Sequence, residues 1–459
     1  MSNKKFIFLF FIASFLVTVH SCRKAEVFPE EEYDERLSGG SQTVFDQSSS
    51  AFSNIFPGIA GYDEDAHELG DANFEITFVT SPAPIHEGLG PLYIGPSCAS
   101  CHFADGRGRV PQLNEDALSL LFRVSEPGTE EHGGPKPLHG FGGQIQNQAV
   151  FGKPAEAKPH VTYTYDIKYF DDGSSYELRT PTYTLDNPYQ PMGNYFLSPR
   201  IAPPVFGLGL LEAIDENDIV AMADEYDANG DGISGKPNYV FNFEAQRMYL
   251  GRFGWKANNP TLKQQTAGAY NEDMGITTPY FTRENSFGQL QYISPAKNPE
   301  TEDSVFKAVT FYVQTLAVPA RRNVNDKDIK EGKQLFKTAG CDKCHVSTLR
   351  TAVDVTKPYL SNQLIHPYTD LLLHDMGAGL EDNRPDYNAS GTEWRTAPLW
   401  GIGLTQIVNG HTNFLHDGRA RNFTEAIMWH DGEAAQSKNY FKALTKTDRD
   451  KLLKFLQSL

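Results

Sequence analysis

"GPSCASCHFADGRGR", residues 95–109, decides how the rest of the chain is read. Cys98 and Cys101 are two residues apart, and His102 follows at once. Alone, such a pair serves a disulfide, a zinc half-site or an attachment point for c-type haem. The chain holds a second copy, "CDKCH" at 341–345, with the same spacing and the same following histidine. Of the five cysteines, four lie in these two pairs and the fifth is Cys22. A zinc site built from both pairs would not need the same histidine twice. A thioredoxin-like motif would need a βαβ setting, which surrounds neither pair, and two disulfides of such short span would stabilise little. C-x-x-C-H is the pattern in which two thiols add across the vinyl groups of haem and the adjacent imidazole becomes the proximal iron ligand. The reading is therefore two covalently bound haem c groups, one on Cys98, Cys101 and His102, the other on Cys341, Cys344 and His345.

The composition limits the partners. Lys and Arg number 41 against 58 Asp and Glu, a net charge of −17 with no basic patch, which argues against nucleic acid. The opening "MSNKKFIFLFFIASFLVTVHSC" has two lysines, an apolar run and small polar residues, so residues 1–22 read as a lipoprotein signal peptide with Cys22 as the lipidated residue. A plain signal peptide or a short membrane anchor is the competing reading. Residues 23–44, "RKAEVFPEEEYDERLSGGSQTV", read as an acidic flexible tether. The expected location is the cell envelope, lipid-anchored outside the cytoplasm, and no later segment has enough unbroken apolar residues to span a bilayer.

With 459 residues the chain accommodates two or three domains. In "KDIKEGKQLFKTAGCDKCH", Ile329, Leu335 and Phe336 fall at near-helical spacing, and "TDRDKLLKFLQSL" offers Leu452, Leu453, Phe455, Leu456 and Leu459 to one face of a terminal helix. Residues 326–459 thus read as a C-terminal cytochrome c domain. "GLGPLYIGPSCASCH" is expected to deliver the first motif in the same way, less regularly. The two motifs stand too far apart for one small cytochrome fold, so residues 45–325 read as an N-terminal cytochrome c-like haem domain with a large insertion. Within it, 160–185 alternates β-branched or aromatic with polar residues and breaks at Asp171-Asp172-Gly173, which predicts a hairpin. Residues 205–226 turn helical, with Asp215 or Asn217 as N-cap. "DANGDGISG" then places Asp227, Asn229 and Asp231 at alternate positions before Gly232, resembling half of an EF-hand calcium loop near the first haem. Asn238 stands where the loop's closing glutamate is expected, and an Asx-rich surface turn is the alternative. The predicted fold class is mainly α: two cytochrome c-like haem domains, the first carrying a small β-sheet or hairpin. No internal repeat is visible beyond the haem motif.

With both motifs in place, further stretches become recognisable. "FGWKANNPTLKQQTAGAYNEDMG" (253–275), "WRTAPLWGIG" (394–403) and "FLHDGRARNFTEAIMWHDGEA" (414–434) resemble segments of bacterial dihaem cytochrome c peroxidases and their MauG-like relatives. "GLGPL", "SCASCHFADGRG", "GRFGWKA" and "YTDLLLHDMG" resemble more closely the related dihaem oxidoreductase family, often labelled thiol oxidoreductase. The resemblance runs from about residue 45 to the end. It implies a reactive N-terminal haem on His102 and a C-terminal relay haem on His345. It further implies Trp255 as a bridging tryptophan, and Glu272 or Asp273 in the place of a distal general acid and base. The thiol label finds no chemistry here, because haem attachment uses every cysteine except Cys22.

The distal iron ligands are less defined. A methionine opposite histidine raises the potential of a relay haem, and "HPYTDLLLHDMG" offers Met376 for the second haem, ahead of Met428, His416 and His374, with His366 nearby. For the first, His132 and His139 are candidates, and an open position would suit peroxide. Arg107 and Arg419 are candidates for the haem propionates. The expected partners are a redox protein or small electron donor and peroxide or another small oxidant. The functions that compete are MauG-like oxidation of a protein partner and electron transfer without catalysis.

Overall fold

The computed structural model describes residues 34–112 and 115–459. Residues 1–22, read as a signal ending in Cys22, and residues 23–33 of the expected tether lie outside the described residues; the rest of that stretch is held by the fold, with Thr43–Val44 paired to Val318–Pro319 and Glu35 2.9 Å from Lys333. No helix among the described residues is long and apolar enough to cross a membrane.

Two helix crossings organise the molecule. Asp326 caps the Lys327–Thr338 helix by accepting from the amides of Asp328 and Ile329, and Thr445 caps the terminal Lys446–Ser458 helix by accepting from Asp448. The two pack together through Ile329, Phe336, Leu452, Phe455 and Leu456. Gly332 sits at their crossing, where a Cβ would lie 2.1 Å from the Lys451 carbonyl oxygen. Four residues on, Phe336 meets Phe455 with ring centroids 5.2 Å apart. The N-terminal half repeats the arrangement. The Tyr62–Glu75 helix packs on Asp303–Gln314, a Cβ on Gly70 would lie 2.2 Å from the Ala308 carbonyl oxygen, and Phe74 meets Tyr312 at 5.3 Å. Phe74 then lies 6.2 Å from the His102 ring, and Phe336 lies 6.3 Å from the His345 ring. This duplication, invisible in the sequence, rests on one Gly-x-x-x-Phe spacing in each half. Ala at Gly70 or Gly332 must push two helices apart, at about 1–3 kcal/mol. Each substitution is expected to lower the thermal midpoint by several degrees in circular dichroism, and an unchanged midpoint would contradict the close crossing.

Of the described residues 26% are helical and 19% in strands, so the fold is mixed rather than mainly α, with the strands in seven two-stranded sheets. The predicted hairpin is the longest of these, Lys158–Tyr169 with Ser175–Asp186, and Tyr169 faces Ser175 across the turn. Its tip is tied to the terminal helix. The Arg449 guanidinium donates to Asp172 at 2.7 Å and Ser174 at 2.8 Å and lies 3.8 Å from the Phe170 ring centroid.

Two local expectations are corrected. Residues 205–226 form only the short helices Leu208–Glu212 and Glu216–Val220, because Asp215 adopts an extended conformation and caps the second through the Asn217 amide. "GLGPLYIG" forms no helix. Its glycines and prolines disfavour one, and Leu92–Tyr93 pairs with Gln148–Ala149 instead. The Tyr62–Glu75 helix does the job expected of that stretch.

Candidate haem sites

Each C-x-x-C-H segment closes on itself. The His102 amide donates to the Cys98 carbonyl at 3.0 Å, and the His345 amide to the Cys341 carbonyl at 2.9 Å. All four thiols are free of disulfides. Burial pushes Cys98 and Cys341 up to about 12 and raises Cys101 and Cys344 as well, so none is a thiolate poised for redox exchange. The imidazoles are set differently. His102 Nδ1 is 2.8 Å from the Pro203 carbonyl oxygen, and His345 Nδ1 is 3.0 Å from that of Tyr368. A carbonyl only accepts, so Nδ1 carries the proton and Nε2 keeps its lone pair. Desolvation pulls both rings down to about 4, which leaves them neutral at pH 7. Neutral charge and a fixed tautomer are what a metal-binding imidazole needs.

Beside each segment lies a cavity. The first, about 180 Å³, is lined by Cys98, Cys101 and His102 with walls that include Phe206, Leu211, Val309 and Val313. The second, about 190 Å³, is lined by Cys341, Cys344 and His345 with Leu399, Ile402, Leu452 and Leu456 among its walls. An apolar chamber, two free thiols and an imidazole with its lone pair available make a donor set that fits haem c at both places.

The two cavities share a wall. Arg107, Trp255, Arg395, Ala397 and Pro398 line both. Trp255 is buried and its indole N–H donates to the Ile201 carbonyl at 2.7 Å, while the Arg107 guanidinium lies 5.4 Å from its ring centroid. The Arg395 amide donates to the Trp255 carbonyl at 2.9 Å, and Arg395 ends the strand Glu393–Arg395, paired with Leu373–Asp375.

The Leu262–Met274 helix, capped by Thr261 and ended by Gly275 at φ +67°, lines the first cavity with Leu262, Gln265, Thr266, Ala269 and Asp273, residues of one helical face. It separates the two carboxylates that the sequence left open. Glu272 pairs with Arg123 and lines neither cavity. Asp273 faces the first cavity, accepts from Gln144 at 2.6 Å, and is pushed up to about 6 by desolvation that Arg123 only partly offsets.

Among the candidate distal groups, Met376 lines the second cavity and packs on the cluster that holds Trp255, Leu380 and Trp394. Met428 is buried in the opposite core and does not line it. His374 lines it with both nitrogens taken, Nε2 at 2.8 Å from Asp370 and Nδ1 at 2.6 Å from Glu433, and these carboxylates hold its pKa well above the usual histidine value despite burial. His416 stacks on Trp394 at 3.6 Å. His366 lies outside the cavity, 3.1 Å from the Thr348 hydroxyl.

Three placements differ from expectation. His132 stacks on Phe241 at 3.7 Å and His139 is exposed, so neither reaches the first cavity. Arg419 is bound by Asp417 at 2.7 Å and lines neither cavity, and Arg395 stands on the shared wall instead. In the 227–231 loop the side-chain oxygens accept from the loop's own amides. Asp227 accepts from the Gly232 amide, Asn229 from that of Asp231 and Asp231 from that of Ile233, and Asp231 pairs with Lys343 at 3.1 Å, beside the second haem motif rather than the first. The sequence reading missed Arg395 and His430, although both lie in stretches it quoted. His430 lines the second cavity, and its Nδ1 donates to the Ala426 carbonyl at 2.7 Å.

Paired chambers of this kind define a dihaem protein of the oxidoreductase class. The chain belongs to the di-haem oxidoreductase family, whose model, described as "Di-haem oxidoreductase, putative peroxidase", matches residues 33–459. Similar solved structures include hydrazine synthase of Kuenenia stuttgartiensis, at 14% identity over 89% of this chain and 98% of that one with a TM-score of 0.34. Another is a MauG-like protein associated with microbial copper homeostasis, at 15% identity over 56% of this chain and 89% of that one with a TM-score of 0.28. No curated protein matches the chain.

Proposed function

We propose that this chain is an extracytoplasmic, peroxidase-like dihaem c oxidoreductase in which electrons pass from the His345 site, by way of Trp255, to the His102 site. Cys98, Cys101, Cys341 and Cys344 would form the thioether bonds, and His102 and His345 the proximal ligands. Haem, when bound, supplies the iron that holds the oxidant and the electrons that reduce it. The observation that carries the reading is the unequal supply of ligands. His102 is the single histidine lining the first cavity, which Met274 also lines, whereas the second is lined by His416, His430 and Met376 besides His345 and the carboxylate-bound His374. A site with no second imidazole would leave a position for a small oxidant, and one richer in imidazoles would suit relay. Met376 is the proposed distal ligand at the second site.

The protein's own groups complete the chemistry. Asp273 is placed to move a proton in the first cavity, Glu272 neutralises Arg123 behind it, and Trp255 fills the wall between the sites. The duplicated helix crossings support two cytochrome c-like units, 45–325 and 326–459. The lipid anchor on Cys22, the envelope location and a redox protein or small molecule as electron donor complete the proposal.

The test is to reduce the holoprotein fully and mix it with hydrogen peroxide in a stopped-flow spectrometer. Both haems are expected to reoxidise, whereas a simple electron carrier leaves both reduced. In Trp255→Phe the second haem is expected to reoxidise at least about tenfold more slowly, a change of about 1.4 kcal/mol in barrier. An unchanged rate would remove Trp255 from the path.

A further inference from the structure

We infer that Arg107 and Arg395 form one anion clamp on the wall between the two cavities, shared by a propionate carboxylate from each haem. The inference rests on the dihaem reading above. The other arginines around the cavities mostly have acids of their own: Arg123 has Glu272, Arg200 and Arg384 share Asp386, and Arg419 has Asp417. Arg252, which lines only the first cavity, is spent on the carbonyls of Leu211, Glu212 and Ile214.

Arg107 and Arg395 are different. Arg107 is 7% exposed, and its guanidinium makes one hydrogen bond, to the Leu415 carbonyl at 3.2 Å, besides lying over the rings of Trp255 and Phe414. Arg395 donates from Nε to the Gly254 carbonyl at 2.9 Å and from Nη1 to the Thr396 carbonyl at 3.0 Å. The acid whose charge Arg395 feels is Asp370, already held by His374. Desolvation pulls both guanidiniums down to about 10.

Two guanidiniums buried on one wall, each with only neutral hydrogen-bond partners, are unfavourable unless anions meet them. The wall they occupy faces both cavities. Haem brings carboxylates of its own, and a guanidinium binds a carboxylate through two parallel hydrogen bonds. A clamp shared in this way ties the two sites electrostatically. Removing either cation stabilises the more positive, oxidised form of both haems.

The experiment is a spectroelectrochemical titration of holoprotein carrying Arg107→Gln or Arg395→Gln. Arg107→Lys and Arg395→Lys serve as charge-conserving rescues, and Arg109→Gln as an exposed control. Haem content is measured first. Fewer than two haems per wild-type chain would overturn the dihaem reading itself, independently of the clamp. With two present, each Gln variant is expected to lower both midpoint potentials by a factor of ten in the oxidised-to-reduced ratio, about 59 mV for a one-electron couple. The Lys variants are expected to recover most of the shift, and Arg109→Gln to leave both haems unmoved. Potentials unchanged in both Gln variants, or a shift confined to one haem, would overturn the shared clamp. Should a Gln variant fail to fold, the Lys variants decide. Both potentials near wild type support a charge role, and a drop as large as that expected for Gln contradicts it.

Discussion

A chain carrying Cys98→Ala together with Cys101→Ala is expected to hold one haem instead of two and to lose peroxide turnover completely, while the absorption of the remaining low-spin haem persists. In the first cavity the groups able to hold haem covalently and through its iron are two thiols and one imidazole. Without thioether bonds nothing covalent retains haem there, and His102 alone is a single ligand. The reciprocal change, Cys341→Ala with Cys344→Ala, is expected to leave a chain that reacts with peroxide once and then stalls, since the proposed donor-side site would be gone. Denaturing mass spectrometry counts the haems, and steady-state and single-turnover assays separate the two losses. Equal loss of both activities in both double variants would contradict distinct roles for the sites.

The next largest effect is expected at Asp273. Its carboxyl is held at about 6 because desolvation outweighs Arg123 and the Gln144 hydrogen bond. A group of that pKa is suited to take and return a proton near neutral pH, and such catalysis contributes roughly 10²–10⁴-fold. Asp273→Asn is therefore expected to slow the peroxide step by about that factor. The wild-type rate is expected to rise as pH increases through about 6, where the carboxylate forms, and the variant is expected to lose this rise. Stability runs the other way. A carboxyl whose folded pKa lies above its ordinary value adds stability at pH below that ordinary value, and this is lost as pH rises through about 6. The variant escapes the loss, so above pH 6 it is expected to be at least as stable as wild type while far less active. Glu272→Gln, acting outside the cavity, is expected to have the smaller kinetic effect. A pH profile unchanged by Asp273→Asn would take the residue out of the proton path.

The haem sites were legible because covalent chemistry demands fixed residues at fixed spacing, and C-x-x-C-H occurs twice. The hairpin and the terminal helix were legible from their periodicity. What escaped depends on approach in space. Gly70 and Gly332 are ordinary glycines until a second helix crosses them. Arg395 and Arg419 look alike in sequence, yet Asp417 lies within reach of only one. Glu272 and Asp273 are neighbours in the chain, but the helical turn puts one against the cavity-lining Arg123 and the other in the first cavity itself. His374, next to "DMG", reads as a ligand until Asp370 and Glu433 are seen to occupy both of its nitrogens. The calcium-like loop has its oxygens in order in the sequence, but its place beside Lys343 and the second haem motif comes from the fold.

The central claim is that the two haem sites are unequal, the first open and the second filled. Low-temperature electron paramagnetic resonance of the oxidised holoprotein, followed by carbon monoxide addition after full reduction, tests it most directly. The expected result is one low-spin haem that ignores carbon monoxide and one haem with a high-spin or carbon-monoxide-binding signal, which disappears in the Cys98→Ala, Cys101→Ala chain. Two low-spin haems that both refuse carbon monoxide, or a carbon-monoxide signal that survives in that chain, would contradict the account.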